Sequence, residues 1–371
     1  MYLPALASIG REFAASPAAT QATLALFFLG FALGQLVYGP LADRYGRRRP
    51  LLAGLAIYVV ASLGCALASS VSLLSAARLV QALGASAGAV ISRAVVRDLF
   101  EVVDAARIYS RLMLIVGIAP ILAPLLGGQL LLFASWRAIF VVLALFGATS
   151  LLAVMRWLPE THSGPRASAR PATVVRGWWA IIRDVEFRWP ALAAATGFAS
   201  LLTYVLGAPA VLITGYGVTP QHFGLFFAMN AIGLIGGAQL NAHWLRRHSP
   251  RQILRRAAPV LLASGVVVAY ATWSGHGGLW GTVAAWFLQL TTLGFVTANA
   301  TATALHTQAA RAGSAAALLG AMQFGSGAIA GALVGALSTL AVVGTAPRAV
   351  GLVICLCAVA ACAAARRATR D

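Results

Sequence analysis

The chain has 371 residues, of which 60% are hydrophobic and only 10% are charged. A soluble domain carries about 25% charged residues, so this composition excludes an ordinary soluble protein. All 27 basic residues are arginine. Because there is no lysine, the chain has no Walker A loop and no lysine nucleophile. We therefore expect neither ATP hydrolysis nor lysine-based catalysis.

Apolar runs recur along the whole chain. Each run is about 20 residues long, which is enough for a helix to cross the hydrocarbon core of a bilayer. The pattern predicts an all-α integral membrane protein. We predict eleven spans, near residues 21–42, 51–69, 73–96, 109–132, 138–155, 190–213, 222–243, 257–274, 279–300, 313–337 and 347–365.

The arginines fall mainly on one side of these spans. If residues 43–50 are cytoplasmic, 22 arginines lie in cytoplasmic segments and only Arg11, Arg137 and Arg348 lie on the other side. By the positive-inside rule this split predicts the orientation, including a cytoplasmic C-terminus. It also accounts for the net charge of +18, so we do not expect nucleic acid as a partner.

The longest segment between spans, about residues 156–188, divides the chain into two parts. The arginine-rich loop 43–49 follows the first predicted span of the first part, and the loop 246–256 follows the second predicted span of the second part. If one span is missing at the N-terminus, the two loops occupy equivalent positions. Such a repeat is typical of membrane proteins built from two related helical bundles. The predicted units are an N-terminal helical bundle, residues 1–155; a cytoplasmic linker loop, residues 156–189; and a C-terminal six-helix bundle, residues 190–371.

A specific loop motif ends the first span: Gly39-Pro40-Leu41-Ala42-Asp43-Arg44-Tyr45-Gly46-Arg47-Arg48-Arg49. Gly46 permits a tight reversal between two helices, and Asp43 can accept hydrogen bonds from a helix N-terminus or pair with an arginine. An ordinary turn with topogenic arginines does not require this order of residues. The motif resembles the loop signature of the major facilitator superfamily. The resemblance implies two six-helix bundles and a cytoplasmic gate that contains Gly39, Asp43, Arg44, Gly46, Arg47 and Arg48, with Asp43 braced against the 313–337 span.

The third predicted span contains Arg78 and Gln81. An arginine inside hydrocarbon is costly, so Arg78 should face a cavity or a partner; alternatively it snorkels to the interface, because it lies only about five residues into the span. Arg-x-x-Gln resembles the fourth-helix motif of the same superfamily, although Ala82 stands where the family usually has glycine.

The same span contains a formal match to a hydrolase nucleophile elbow, Gly84-Ala85-Ser86-Ala87-Gly88. A nucleophile elbow needs a strand-turn-helix context and acidic and histidine partners. Ser86 has none nearby in the sequence. We interpret these small residues as a surface for close helix packing.

A further motif occupies the 109–132 span: Gly117-Ile118-Ala119-Pro120-Ile121-Leu122-Ala123-Pro124-Leu125-Leu126-Gly127-Gly128. Pro120 and Pro124 each remove a backbone hydrogen bond and bend the helix, while the glycines admit a neighbouring helix. A generic kinked membrane helix would show part of this pattern. The whole resembles the antiporter motif of drug-exporting members of the superfamily, which implies roles for Gly117, Pro120, Pro124, Gly127 and Gly128.

Finer similarities point to the Bcr/CflA group of bicyclomycin and chloramphenicol resistance proteins. They are the segments 1–6, 29–35, 38–40, 93–98 and 227–230. The segment Leu158-Pro159-Glu160-Thr161 resembles the usual end of the sixth helix of the superfamily. The resemblance implies a monomeric carrier in the bacterial inner membrane, neither an enzyme nor cofactor-dependent, that exports small toxic compounds in exchange for protons. A carrier of one metabolite and a non-transporting membrane protein remain as alternatives.

The chain also departs from that group. There, the tract Met1-Tyr2-Leu3-Pro4 closes a first helix and follows an aspartate; here it opens the chain, so we expect either a start further upstream or a truncated product. None of the nine acidic residues falls within a predicted span, so no carboxylate for proton coupling is evident. Polar residues expected to line a central cavity, or else to form interhelical hydrogen bonds, are Gln35, Arg78, Gln81, Asn230, Gln289, Asn299 and Gln323.

Overall fold

The computed structural model describes residues 1–100, 108, 122–161, 171–308, 311–340 and 345–369. These residues form helices joined by short turns, and none of them forms a strand. The helices are α1 (Leu6–Glu12), α2 (Pro17–Tyr45), α3 (Arg48–Ala66), α4 (Val71–Leu99), α5 (Leu122–Phe133), α6 (Arg137–Trp157), α7 (Pro171–Arg183), α8 (Val185–Pro209, continued by a π turn, Ala210–Gly215), α9 (Pro220–Trp244), α10 (Pro250–Ser274), α11 (Gly278–His306), α12 (Ala312–Ser338) and α13 (Ala346–Ala368).

Ten helices in the described ranges are long and apolar enough to cross a membrane. This confirms the prediction of an all-α integral membrane fold. The predicted span 109–132 lies largely outside the described residues, and its described part is the shorter helix α5. The ten spans and α5 together match the eleven predicted apolar segments in order along the chain.

Several helices extend beyond the apolar runs that predicted them. The α10 helix begins at Pro250 rather than near 257, because Ser249 and Gln252 form a reciprocal capping box. The α2 and α4 helices continue past the C-terminal ends of their apolar runs, so that Asp43 and Asp98 lie in their last turns. Backbone hydrogen bonding thus continues past the hydrophobic boundary. Of the acidic residues, Asp43 and Glu186 fall within the helices that are long and apolar enough to cross a membrane, Ala18–Tyr45 and Val185–Gly215, whereas Asp98 lies beyond Val71–Val96.

The predicted linker loop contains a helix, α7. Its sequence, PATVVRGWWAIIR, places apolar residues on one side of a 3.6-residue period. The Ile181 side chain from this side is 1% exposed, and α7 packs against α8 and α12. The sequence analysis did not predict this amphipathic helix, because prolines and arginines surround its apolar residues. Residues 162–170 of the linker lie outside the described ranges.

The helices pack as two bundles that meet along α2 and α12. In the N-terminal bundle α4 packs on both α2 and α3, and α6 packs on α3; in the C-terminal bundle α8 packs on α11, α12 and α13. Small residues allow close helix approach: Gly54 on α3 faces Ala87, and Gly84 on α4 faces the α3 backbone. Ser86 is buried and donates a hydrogen bond to the Leu83 carbonyl at 2.7 Å, in agreement with its interpretation as a packing residue.

Two glycines of the elbow-like segment should respond very differently to an added methyl group. A Cβ at Gly84 would stand 2.5 Å from the Tyr58 nitrogen and 2.6 Å from the Gly54 carbonyl oxygen, whereas Gly88 faces open space. We expect Gly84→Ala to lower the free energy of unfolding by about 1–3 kcal/mol. Gly88→Ala should leave it unchanged or slightly raised. Thermal unfolding of the two purified variants tests this, and equal midpoints would contradict the packing described here.

A polar clamp ties α1 to α6 at the end of the bundle that carries few arginines. The Glu12 carboxylate accepts hydrogen bonds from Arg137 and from the Trp136 indole. These bonds, from Arg137 first and then Trp136, lower the pKa of Glu12 below its ordinary value. A lowered carboxyl pKa means that the clamp contributes stability above the ordinary pKa of glutamate and loses it as the pH falls through the folded-state value.

Candidate functional site

The loop motif between α2 and α3 is organised around Arg47. Gly46 ends α2 with φ of +85°, a conformation that favours glycine. This turn directs the Arg47 side chain, 4% exposed, between two carboxylates: Nη1 donates to Asp43 Oδ1 at 2.7 Å and Nε donates to Asp98 Oδ2 at 2.8 Å. Burial alone would lower the pKa of Arg47, but the bonds to Asp98 and Asp43 outweigh burial and raise it. One guanidinium therefore joins α2, α3 and α4.

Glu160 completes this network from the segment that follows α6. Its carboxylate accepts hydrogen bonds from the backbone N–H groups of Arg47 and Arg48, at 2.7 and 3.2 Å. A carboxylate at a helix N-terminus satisfies free N–H groups and interacts favourably with the helix dipole. The Arg48 side chain also donates to the Met155 carbonyl at 2.8 Å. Sequence reasoning treated Glu160 only as the end of a helix, because nothing local shows that it contacts residues more than 100 positions earlier.

The expected contact of Asp43 with the N-terminal end of α12 remains a prediction. In this structure the described partner of Asp43 is Arg47, and the Asp43 side chain is 52% exposed. Gly39 on α2 and Gly313 on α12 both face open space. These two helix ends are therefore not pressed together through their glycines. Arg44, also in the motif, lies over the Tyr45 ring with 5.1 Å between Cζ and the ring centroid.

Arg78 lies inside the N-terminal bundle and does not snorkel. Its side chain is 5% exposed. The guanidinium carbon lies 4.0 Å from the Phe27 ring centroid, 4.6 Å from that of Tyr2 and 5.8 Å from that of Phe140. Each such contact is worth about 0.5–2 kcal/mol. No ion pair with a carboxylate involves Arg78 within the described part of the chain.

Gln81 connects Arg78 to the neighbouring helix. Arg78 Nη1 donates to Gln81 Oε1 at 2.7 Å, and Gln81 Nε2 donates to Ser62 Oγ on α3 at 2.7 Å. The Arg78 Nε atom is buried and has no hydrogen-bond partner among the described residues. The Arg-x-x-Gln spacing therefore positions one buried cation whose hydrogen-bonding capacity is incompletely used.

The described part of the proline-glycine motif lies where the two bundles meet at the arginine-poor end. A Cβ at Gly128 on α5 would stand 2.6 Å from the Pro220 carbonyl oxygen on α9, and one at Gly224 would stand 2.6 Å from Leu125 Cδ2. Gly127 contacts the backbone of Met1, and Pro124 lies in the first turn of α5. Gly117 and Pro120 lie outside the described residues. The glycines thus allow α5 and α9 to close this end tightly.

Aromatic side chains fill the middle of the interface between the bundles. Phe324 on α12 lies 4.4 Å from Phe31, 6.0 Å from Phe28 and 5.2 Å from Phe198, as measured between ring centroids. We call Phe28, Phe31, Phe198 and Phe324 the central aromatic cluster. It joins α2 of one bundle to α8 and α12 of the other. Sequence analysis missed it, because four phenylalanines on three distant apolar segments carry no local signal.

Two of the predicted cavity residues adjoin this cluster. Gln35 is 4% exposed and packs against Gly320, one helical turn from the Phe31–Phe324 contact. Gln323 precedes Phe324 on α12 and is partly exposed. These two amides are therefore placed beside the plane where the bundles meet.

The other amides serve contacts inside the C-terminal bundle. Gln289 Nε2 donates to Ser200 Oγ at 3.0 Å, and Gln289 Oε1 accepts from Ser264 Oγ at 2.5 Å. Asn299 Nδ2 donates to Asn241 Oδ1 at 2.6 Å. Gln289 and Asn299 are thus interhelical hydrogen-bonding residues in this conformation, the alternative that sequence analysis left open. Asn299 is 1% exposed, because α11 continues to His306 instead of ending near residue 300. Asn230 is fully buried, and its Oδ1 atom has no partner among the described residues.

A family model described as the Major Facilitator Superfamily matches residues 1–335. An uncharacterized MFS-type transporter YdgK of Bacillus subtilis is 35% identical over 92% of this chain and 86% of its own length. A bicyclomycin resistance protein homolog of Haemophilus influenzae is 32% identical over 90% and 84%. Multidrug resistance protein D of Escherichia coli is 27% identical over 89% and 83%.

Solved transporters share the fold at low sequence identity. The partially occluded inward-open xylose transporter XylE from E. coli superposes with a TM-score of 0.72 at 12% identity and covers 96% of this chain and 91% of its own. A POT family transporter in complex with a peptide conjugate gives a TM-score of 0.76 at 11% identity, with 100% and 93% coverage.

The fold and the motifs define a multi-pass transporter of the bacterial inner membrane. The chain belongs to the Major Facilitator Superfamily. Its similarity to the bicyclomycin resistance homolog confirms the predicted resemblance to the Bcr/CflA group. These findings point to a transporter rather than an enzyme.

Proposed function

We propose that this chain exports drug-like small molecules by alternating access, with protons moving in the opposite direction. The observation that carries the proposal is the central aromatic cluster, which lies between the bundles with Gln35 beside it. Sites for varied drug-like molecules are mostly apolar and contain few polar groups. The names of the relatives, which include bicyclomycin, chloramphenicol and multidrug resistance proteins, support the same substrate class.

The packing supports a carrier that opens at one end at a time. At the arginine-poor end α5 and α9 approach through Gly128 and Gly224, while at the arginine-rich end Gly39 and Gly313 face open space. We infer that this conformation is closed toward the outside and opens toward the cytoplasm. The Asp43–Arg47–Asp98 network would then hold the arginine-rich ends of α2, α3 and α4 as one unit that moves relative to α12.

Efflux from cells tests the proposal. The chain is produced in bacteria that lack their own efflux pumps, the cells are loaded with ethidium or chloramphenicol, and loss of the compound is followed with and without an uncoupler. We expect uncoupler-sensitive efflux above that of cells with empty vector. Efflux of a single metabolite with no effect on either drug would replace the proposal with a specific carrier, and no flux of either kind would contradict transport.

The arginine distribution predicts that the C-terminus lies in the cytoplasm. Arg366 and Arg367 lie in the last turn of α13, and the positive-inside rule places such charges on the cytoplasmic side. A fluorescent protein that matures only in the cytoplasm, fused after Asp371, should be bright. A dark fusion together with an active periplasmic phosphatase fusion at the same position would contradict this orientation.

A further inference from the structure

Two guanidinium groups lie close to one indole at the arginine-rich end of the C-terminal bundle. Arg188 lies with its Cζ 4.9 Å from the Trp189 ring centroid, and Arg367 on α13 lies 4.4 Å from the same centroid. Arg188 and Trp189 lie in the first turns of α8, and Arg367 lies in the last turn of α13. The two helices thus bring two positive charges to one spot at the end of the apolar spans.

Neither of these arginines is neutralised by the described residues. No ion pair joins Arg188 or Arg367 to a carboxylate in the described ranges, and the Arg188 Nε atom is buried with no hydrogen-bond partner there. The nearby acidic residues bind other groups or lie on another side of the helix. Asp184 accepts from the Glu186 backbone N–H and from the Gln308 side chain. Glu186 lies two residues before Arg188, and therefore on the opposite side of the helix.

Helix α7 ends at Arg183, two residues before α8 begins, and packs against α8. Its apolar side is only partly covered by protein: Ile181 is buried, but Val175 is 44% exposed and Trp179 is 58% exposed. Arg183 borders the exposed stripe, with its Cζ 5.8 Å from the Trp179 ring centroid. Tryptophan next to arginine on an amphipathic helix is the pattern of a helix that lies in the lipid headgroup layer.

We infer that this surface, formed by α7 with Arg188, Trp189 and Arg367, binds the phosphate headgroup of an anionic phospholipid. The two guanidinium groups, which have no carboxylate partner among the described residues, match a phosphate diester, which accepts bidentate hydrogen bonds from arginine. The exposed Val175 and Trp179 match the acyl and glycerol region of the same lipid. A free phosphate ion would satisfy the arginines but would leave this apolar stripe in water, so the lipid fits both features.

Lipid titration of the purified full-length chain tests the inference. Native mass spectrometry counts the bound lipids as phosphatidylglycerol is added, with phosphatidylcholine as the zwitterionic comparison. The test variant combines Arg188→Gln and Arg367→Gln. The control combines Arg246→Gln and Arg247→Gln, which removes the same charge from two exposed arginines at the same end of the bundle.

We expect the test variant to bind the tightest phosphatidylglycerol roughly tenfold more weakly than the wild type, while the control stays within about twofold. Phosphatidylcholine binding should be the same for all three proteins. Equal losses in test and control variants would show general electrostatic attraction and overturn the site, as would no loss in either. Displacement of the lipid by millimolar inorganic phosphate would overturn the lipid as the specific ligand. Matching thermal unfolding of the three proteins establishes that the comparison is between folded molecules.

Discussion

Replacement of Arg47 by glutamine should reduce efflux at least tenfold while leaving membrane insertion intact. Arg47 is 4% exposed and bonds two carboxylates on two helices. Removal of one partner from a buried charge pair costs about 3–5 kcal/mol, because the other charge is left uncompensated. Asp98 is 16% exposed and Asp43 is 52% exposed, so water compensates part of this cost. The part of the free-energy cost that water does not compensate should shift the equilibrium between the transporter's conformations, which differ in free energy by only a few kcal/mol.

Arg49→Gln is the matched control, because Arg49 is exposed and belongs to the same loop. It should retain nearly full efflux. The double variant Arg47→Gln with Asp98→Asn measures the coupling between the two side chains, and we expect its loss of efflux to be smaller than the sum of the losses of the two single variants. The measurement is initial ethidium efflux at matched expression. Equal activity of Arg47→Gln and Arg49→Gln would contradict a gating role for the network.

Replacement of Arg78 by methionine should separate transport from stability. Burial of a charge without a carboxylate partner destabilises the fold by several kcal/mol. The three aromatic contacts and the hydrogen bond to Gln81 stabilise it by a similar free energy. An apolar side chain of similar length should therefore leave the unfolding temperature unchanged or raise it. Efflux should fall at least tenfold, because an ionisable residue inside a membrane-spanning bundle typically serves the transport pathway.

A partly exposed arginine that lies over one ring provides the comparison for Arg78. Arg348 lies 5.4 Å from the Trp273 ring centroid, and Arg348→Met should change neither efflux nor unfolding temperature by much. Arg78→Lys should also lose activity, because a lysine cannot reproduce the planar guanidinium between the rings. If Arg78→Met unfolds much more easily and loses activity in proportion, the residue is structural. If it keeps full efflux, the residue has no part in transport.

The order of the ten described spans was predictable because it depends on local composition. A run of about 20 apolar residues must be a helix in a bilayer, since every backbone polar group has to be satisfied within the segment. The arginine-rich loop motif and Arg-x-x-Gln were visible for a related reason, because charged residues next to or inside apolar runs stand out. The same rule failed at α7, where polar neighbours concealed a short amphipathic helix, and at α10, whose capping box starts the helix before its apolar run.

The sequence by itself determined the membrane fold, the family resemblance and the identity of the unusual charges, because each is encoded in the order of neighbouring residues. Only the tertiary structure decided which partners those charges have. Arg47 meets Asp98 and Glu160 across 51 and 113 positions. Phe324 meets Phe198 within the C-terminal bundle and Phe31 across the interface between the bundles. Such contacts depend on how helices pack, and packing is set by the shapes of many small residues acting together. Gln35, Gln289 and Asn299 are all amides inside apolar runs, and the sequence does not distinguish their roles. In the structure Gln289 and Asn299 form hydrogen bonds within one bundle, whereas Gln35 lies where the two bundles meet.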